Sequence, residues 1–377
     1  MKKSLFIIAA AAIVAGCASD GIRNTVYNDM NVPIGFGDSY LGKKTKAFVG
    51  EMSDSASLAK DGNTMKVWGW KDVKGTKTQV FNDQLVQFNS ASTQTTTKWE
   101  YSPLKYWDMA ANKYLFVAAA PCISDVTISS DTLIQVTNIA PVLALNNKNG
   151  ASAITAANTT AVDYLVADKV FKAPKGNASD NDVQFTFSHI MSKLTVRVKT
   201  TANFNNTGNN YPQIKLTSLS LKLQGMCPTY NQKNVGVTTA KQKDGDIWSG
   251  TPSTEDTYEC FNLGGTIDSL LLKGAGGVND VDTVAAYLIA PTTTGTTTPA
   301  ADSLTYTYTA TVGYDVIYSA TEKESFLAED KEITNLKSFA QNTSNTLTIT
   351  IDPKVIYFDI KTVKDWTEGN NATLLIE

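Results

Sequence analysis

The sequence predicts an all-β protein. Threonine, valine, tyrosine and glycine are plentiful across its 377 residues, and β-branched and aromatic side chains suit a pleated, half-buried surface. No long apolar pattern of period 3.6 occurs, while several stretches alternate strictly with period 2. Tyr306, Tyr308, Ala310 and Val312 alternate with threonines, and Leu347, Ile349 and Ile351 do the same, as half-exposed antiparallel strands do. The length is enough for two domains, each burying its own core.

The first residues form a targeting segment. Lys2 and Lys3 precede a short apolar run over residues 5–14, too brief to span a bilayer as a mature helix. Val14-Ala15-Gly16-Cys17 resembles a bacterial lipobox. That resemblance implies a signal peptide over residues 1–16, cleavage before Cys17 and lipid on Cys17. Acyl chains then anchor by burying methylenes, at about 0.8 kcal/mol each. No later stretch approaches 18 apolar residues, so the mature chain is expected to be soluble or lipid-anchored.

Composition excludes several classes. The formal net charge is −3 with 18% charged residues, and without a basic stripe nucleic acid is not an expected partner. His189 is the one histidine, and there is no G-x-S-x-G, Gly-rich phosphate loop or recognisable acid pair. No catalytic residue and no cofactor site is therefore expected. After Cys17 the cysteines are Cys122, Cys227 and Cys260. None stands in C-x-x-C or Cys/His spacing, so no metal site is expected. Pairing of Cys227 with Cys260 stays open, because sequence does not show their separation.

In chain order, residues 32–36 (Val-Pro-Ile-Gly-Phe) read as a short edge-type strand, since Pro33 lacks the amide that a central strand donates. A lysine-bearing loop leads to Thr45-Lys46-Ala47-Phe48. Residues 65–70 read as a strand, and residues 80–88 as a hairpin turning at Asn82-Asp83. An aromatic stretch runs from Trp99 to Trp107, and the apolar strand from Tyr114 stops at Pro121. These aromatics read as core and strand-pair packing, with a glycan-stacking platform as the alternative.

Residues 185–200 organise the first half. Phe185, Phe187 and His189 share one parity, whereas Leu194, Val196 and Val198 share the other. Period 2 changes parity only through an extra residue or a tight turn, expected near residues 190–192. His189 reads as a hydrogen-bonded core histidine with no acid, cysteine or second histidine beside it in sequence.

The Asn- and Gly-rich residues 203–211 read as a linker. Leu219, Leu221 and Leu223 alternate, an apolar strand over 284–289 stops at Pro291, and 292–299 is a polar loop. Residues 355–363, followed by Asp365-Trp366, read as the last strand. Residues 225–280 match no pattern.

Phe185-x-Phe-x-His189 with Ser192-Lys193-Leu194-x-Val196-x-Val198, and Trp99-x-Tyr101-x-Pro103-x-x-Tyr106-Trp107, together resemble the fimbrillin family, the subunits of type V pili of Bacteroidales. The motif order agrees, and residues 355–366 resemble the family's closing strand. The resemblance implies two tandem transthyretin-like antiparallel β-sandwich domains, over 47–203 and 204–377. It also implies a propeptide over 17–46 whose edge strand is removed by cleavage between Lys46 and Ala47, and a donor strand within 367–377. Lysine stands at position 46 where the family carries arginine. Implied partners are other fimbrial subunits or copies of the chain, outer-membrane lipid through the acylated precursor, and a host or bacterial receptor. The implied location is the outer membrane and then the surface fimbrium. Stalk subunit, adhesive tip or anchor, and monomeric surface lipoprotein binding glycan or host protein remain alternatives. Five stretches, beginning at Asp54, Asp131, Asp268, Asp282 and Asp302, also resemble a Bacteroidales O-glycosylation sequon.

Overall fold

A computed structural model describes residues 32–37, 40–41, 58–94, 98–130, 133–140, 142–146, 162–174, 182–201, 211–232, 247–250, 255–262, 270–272, 282–290, 295–296, 308–333, 339, 341–352, 356–364 and 371–372. Among the described residues every regular element is a β-strand, and the strands form four sheets. The expected all-β class is what is found.

The first sheet runs, in spatial order, Tyr40–Leu41, Thr186–His189, Leu165–Ala167, Lys113–Ala120, Thr64–Val73, Thr76–Phe88 and Trp99–Glu100, with Val170–Lys172 also paired to Lys113–Ala120. Alternation along Lys113–Ala120 decides its two faces. Tyr114, Phe116, Ala118 and Ala120 point into one cluster, with Met65, Val67, Phe81 and Leu165. Val117 and Ala119 point the other way, with Trp68 and Val166, into a second cluster shared with the later half of the chain. This sheet is therefore buried on both faces over its middle, which explains why its central strand is continuously apolar.

Thr64–Val73 and Thr76–Phe88 form a long hairpin whose turn lies at Lys74 and Gly75, both at positive φ (53° and 86°). The turn expected at Asn82-Asp83 is not there. Asp83 has φ 54° within the strand, opposite the register shifts at Val67–Trp70, so the turn-like pair marks a bulge. Its carboxylate meets Lys66 Nζ at 2.8 Å.

The parity change after His189 is a change of sheet. Thr186–His189 belongs to the first sheet. Beyond Ile190 and Met191, Ser192–Thr200 lies between Asp282–Ile289 and Thr343–Ile351 in another. The pairing with Thr343–Ile351 is parallel, where antiparallel pairing was expected; strands so distant in sequence are free of the hairpin constraint. Ser192, Thr343 and Asn345 tie this junction together, with Asn345 Nδ2 donating to Ser192 Oγ at 2.8 Å.

The sheets do not divide at 203/204. Val142–Asn146 pairs with Asp282–Ile289, and Leu133–Val136 pairs with Thr229–Asn231. Gln232 joins the halves again, its amide donating to Ile134 O at 2.9 Å and its side chain to Ala167 O at 3.3 Å. Residues 203–210, read as a linker, lie outside the described residues.

The leucines of Gln213–Gln224 are fully buried, as their alternation requires. The unmatched region 225–280 supplies short strands, Thr229–Asn231, Ile247–Ser249, Glu255–Asn262 and Leu270–Leu271. Thr229–Asn231, Ile247–Ser249 and Leu270–Leu271 are too short to leave a period to read. Of the sequon-like stretches, Asp282-Thr283-Val284 lies wholly within the described residues. It starts the strand Asp282–Ile289, with Val284 fully buried.

Cys122, Cys227 and Cys260 are free thiols, so Cys227 and Cys260 are not joined. Burial pushes the Cys227 thiol up to about 11 and raises Cys260 further. Because the thiolate is the reactive form, iodoacetamide at pH 8 should modify half-exposed Cys122 and spare Cys227 and Cys260 until the chain unfolds. Peptide mapping checks this; a recovered Cys227–Cys260 disulfide peptide would contradict it.

Candidate functional site: the slot filled by residues 32–37

Residues 32–37 do not form an edge strand. They lie between residues 99–107, at and beyond the Trp99–Glu100 edge of the first sheet, and residue 183, just ahead of its strand Thr186–His189, and hydrogen-bond on both sides. On one side Ile34 N donates to Lys105 O at 2.8 Å, and Trp107 N donates to Val32 O at 3.1 Å. On the other, Val183 N donates to Gly35 O at 2.8 Å, and Gly37 N donates to Val183 O at 2.9 Å. Phe36 is bridged to Trp99 in antiparallel sense and to Val183 in parallel sense. Tyr40–Leu41 continues beside Thr186 and Phe187. The segment thus closes the sheet on itself.

Proline misled because its missing amide does no harm here. Strand amides alternate sides, and Gly37 N faces residue 183. The amide Pro33 lacks would face that same side, one step before the first bond there.

The inward side chains set the energetics. Val32, Ile34 and Phe36 are buried, the last two completely. Phe36 is enclosed by rings: Phe185 stacked at 5.9 Å and 16°, Tyr101 at 5.4 Å, Phe81 at 5.5 Å and Phe116 at 6.4 Å, the last three edge-on. Tyr101 Oη donates to Ile34 O at 2.7 Å, and burial raises its phenol well above the ordinary range. Trp99, Tyr101, Trp107, Tyr114 and Phe116 are all buried, so the aromatic stretch is core and the glycan platform is not formed by these rings. Tyr106 alone of that run is exposed, beside Pro33.

The closed slot is not fully satisfied. The indole N–H groups of Trp99 and Trp107 are buried without an acceptor, and each such donor costs about 1–3 kcal/mol. Both residues flank the segment.

His189 is buried on the cluster side of Thr186–His189, and its Nδ1 lies 2.9 Å from Asp163 Oδ1. The core position is as expected. The absence of an acid partner is not: Asp163 is 26 residues away in sequence and comes adjacent only by folding. Its visible signal is a single carboxylate within the otherwise apolar run 162–167. A buried pair of this kind orients and packs. Among the described residues, no three His, Cys, Asp or Glu side chains gather to hold a metal. Cys17, Lys46 and Ala47 lie outside the described residues. Of the tail, only Asn371–Ala372 is described, pairing with Ile356–Lys364 as the outermost strand of its sheet.

Fold and slot define a β-sandwich protein whose N-terminal segment supplies a closing strand. Comparison with known proteins says which. The fimbrillin-like family matches residues 45–366, and the chain belongs to it. It is 24% identical to fimbrium subunit Fim1C of Phocaeicola vulgatus over 408 aligned positions, covering all of this chain and 99% of that one. A crystal structure of a fimbrial protein from Bacteroides vulgatus superposes with a TM-score of 0.52 at 16% identity, covering 89% of this chain and all of that one; at that identity the likeness concerns the fold. The family is one of fimbrial building blocks of the cell surface and not of enzymes.

Proposed function

We propose that the chain is a structural fimbrial subunit made as a lipoprotein precursor, anchored at the outer membrane through acylated Cys17. Cleavage between Lys46 and Ala47 releases residues 17–46, the lipid and the closing strand together. A strand from a neighbouring subunit then enters the slot, supplied by residues 367–377 of another copy or by a different subunit. The mature body then begins at Ala47. Its fimbria supports adhesion to a host or bacterial surface.

The observation that carries this reading is the position of residues 32–37. They stand apart in sequence from both neighbours, yet make main-chain bonds to both and fill the middle of an aromatic core. Their departure would leave two unpaired edges and an apolar groove, which is what an extended strand from another chain fills. Lysine at 46 directs cleavage to a lysine-specific or trypsin-like protease.

Anchoring is tested by metabolic labelling with a palmitate analogue. The wild-type precursor should carry label and Cys17→Ser should not; equal labelling of both would remove the lipid step. N-terminal sequencing of the surface form should begin at Ala47. A start elsewhere would move the cleavage site and, if it fell before Val32, would leave the slot filled.

A further inference from the structure

The slot does more than accept any apolar strand. We propose that it selects an aromatic residue: the strand that replaces 32–37 carries aliphatic side chains at the positions of Val32 and Ile34, an aromatic ring at that of Phe36, and glycine or another small residue next. This rests on the strand-replacement reading and specifies the partner.

Three contacts divide the work. Tyr101 Oη binds Ile34 O and so reads main chain. It sets register and is indifferent to side-chain identity. The Phe36 site is read by side chain, because four rings surround it within 6.4 Å of its centroid, one face-on and three edge-on. Edge and face contacts of this kind require a ring, and a branched aliphatic leaves part of the volume empty in a close-packed core. At position 37 a Cβ would lie 3.0 Å from Gln184 Cγ and 3.4 Å from Asp182 Cβ, so a large residue must push its neighbour away.

The chain's own tail meets this pattern poorly. Ala372, Leu374 and Ile376 alternate correctly, but Ile376 falls at the aromatic position and Glu377 at the small one. The slot is therefore better matched by a different subunit, one presenting aliphatic-x-aliphatic-x-aromatic-small, than by residues 372–377 of a second copy.

The test uses the full chain with a specific protease site in place of residues 43–46, nicked after folding. Fluorescein-labelled peptides compete for the slot, and anisotropy reads binding. The peptides are residues 30–41, the same with Phe36→Leu or Phe36→Ile, residues 370–377, and that tail with Ile376→Phe. The resident sequence should bind, the Leu and Ile variants about tenfold more weakly, and Ile376→Phe should improve the tail by a similar factor. Equal affinities for the aromatic and aliphatic members would overturn the selection and leave strand replacement standing. Failure of every peptide, the resident sequence included, would overturn both.

Discussion

Phe36→Ala is expected to destabilise the intact chain by about 3–5 kcal/mol, the range for removing a large aromatic from a close-packed interior. The residue is fully buried, stacks on Phe185 and closes the ring of Phe81, Tyr101 and Phe116. Urea unfolding followed by tryptophan fluorescence measures it. Leu327→Ala provides the contrast: Leu327 is 60% exposed on Lys323–Glu332, and its loss should stay within about 0.5 kcal/mol. If the two substitutions cost the same, residues 32–37 are not part of the core. The larger loss would also mean that the segment holds the first sheet shut, and that opening it has a definite free-energy cost.

His189→Gln is expected to lower stability by about 1–3 kcal/mol, the cost of leaving a buried polar partner unsatisfied. Asp163 is as deeply buried as the histidine it meets. Asp163→Asn should cost a similar amount, and the double variant should cost less than the sum, since both singles break the same contact. Assembly per folded molecule should be unchanged throughout. An equally stable His189→Gln chain that no longer assembles would make this pair a functional site instead of a packing device.

The legible parts of the fold were those written in period 2. The strands Gln213–Gln224, Thr343–Ile351 and Thr186–His189 announce themselves by alternation, and the parity break at Ile190–Met191 correctly marked a discontinuity. What alternation does not carry is the identity of the neighbour. Nothing local to Ser192–Thr200 says that its partners lie near residues 285 and 347, and Asn and Gly content at 203–211 carries no information on which strands pair across it. Asn82-Asp83 misled because a bulge and a turn both favour positive φ. For the site, the motif order pointed to residues 32–36 but Pro33 made them look peripheral. Their central place follows from which side each amide faces, a property of pairing. Asp163 was hidden for the same reason, its distance from His189 closing only through the pairing of Leu165–Ala167 with Thr186–His189.

The central claim is that residues 32–37 form a replaceable closing strand, and limited proteolysis with size analysis tests it most directly. Trypsin should cut the folded chain after Lys46, a break that N-terminal sequencing reads as Ala47. As the excised segment is lost, the cut chain should accept a strand from a second copy or from another subunit, while the uncut chain accepts neither. Where a second copy serves as donor, multimers should form and deleting residues 367–377 should abolish them. Where the donor is another subunit, the cut chain should stay monomeric by itself, with or without residues 367–377, and grow only when that subunit is added. A chain cut at Lys46 that keeps residues 32–37 bound and refuses every competing strand at high concentration would contradict the account.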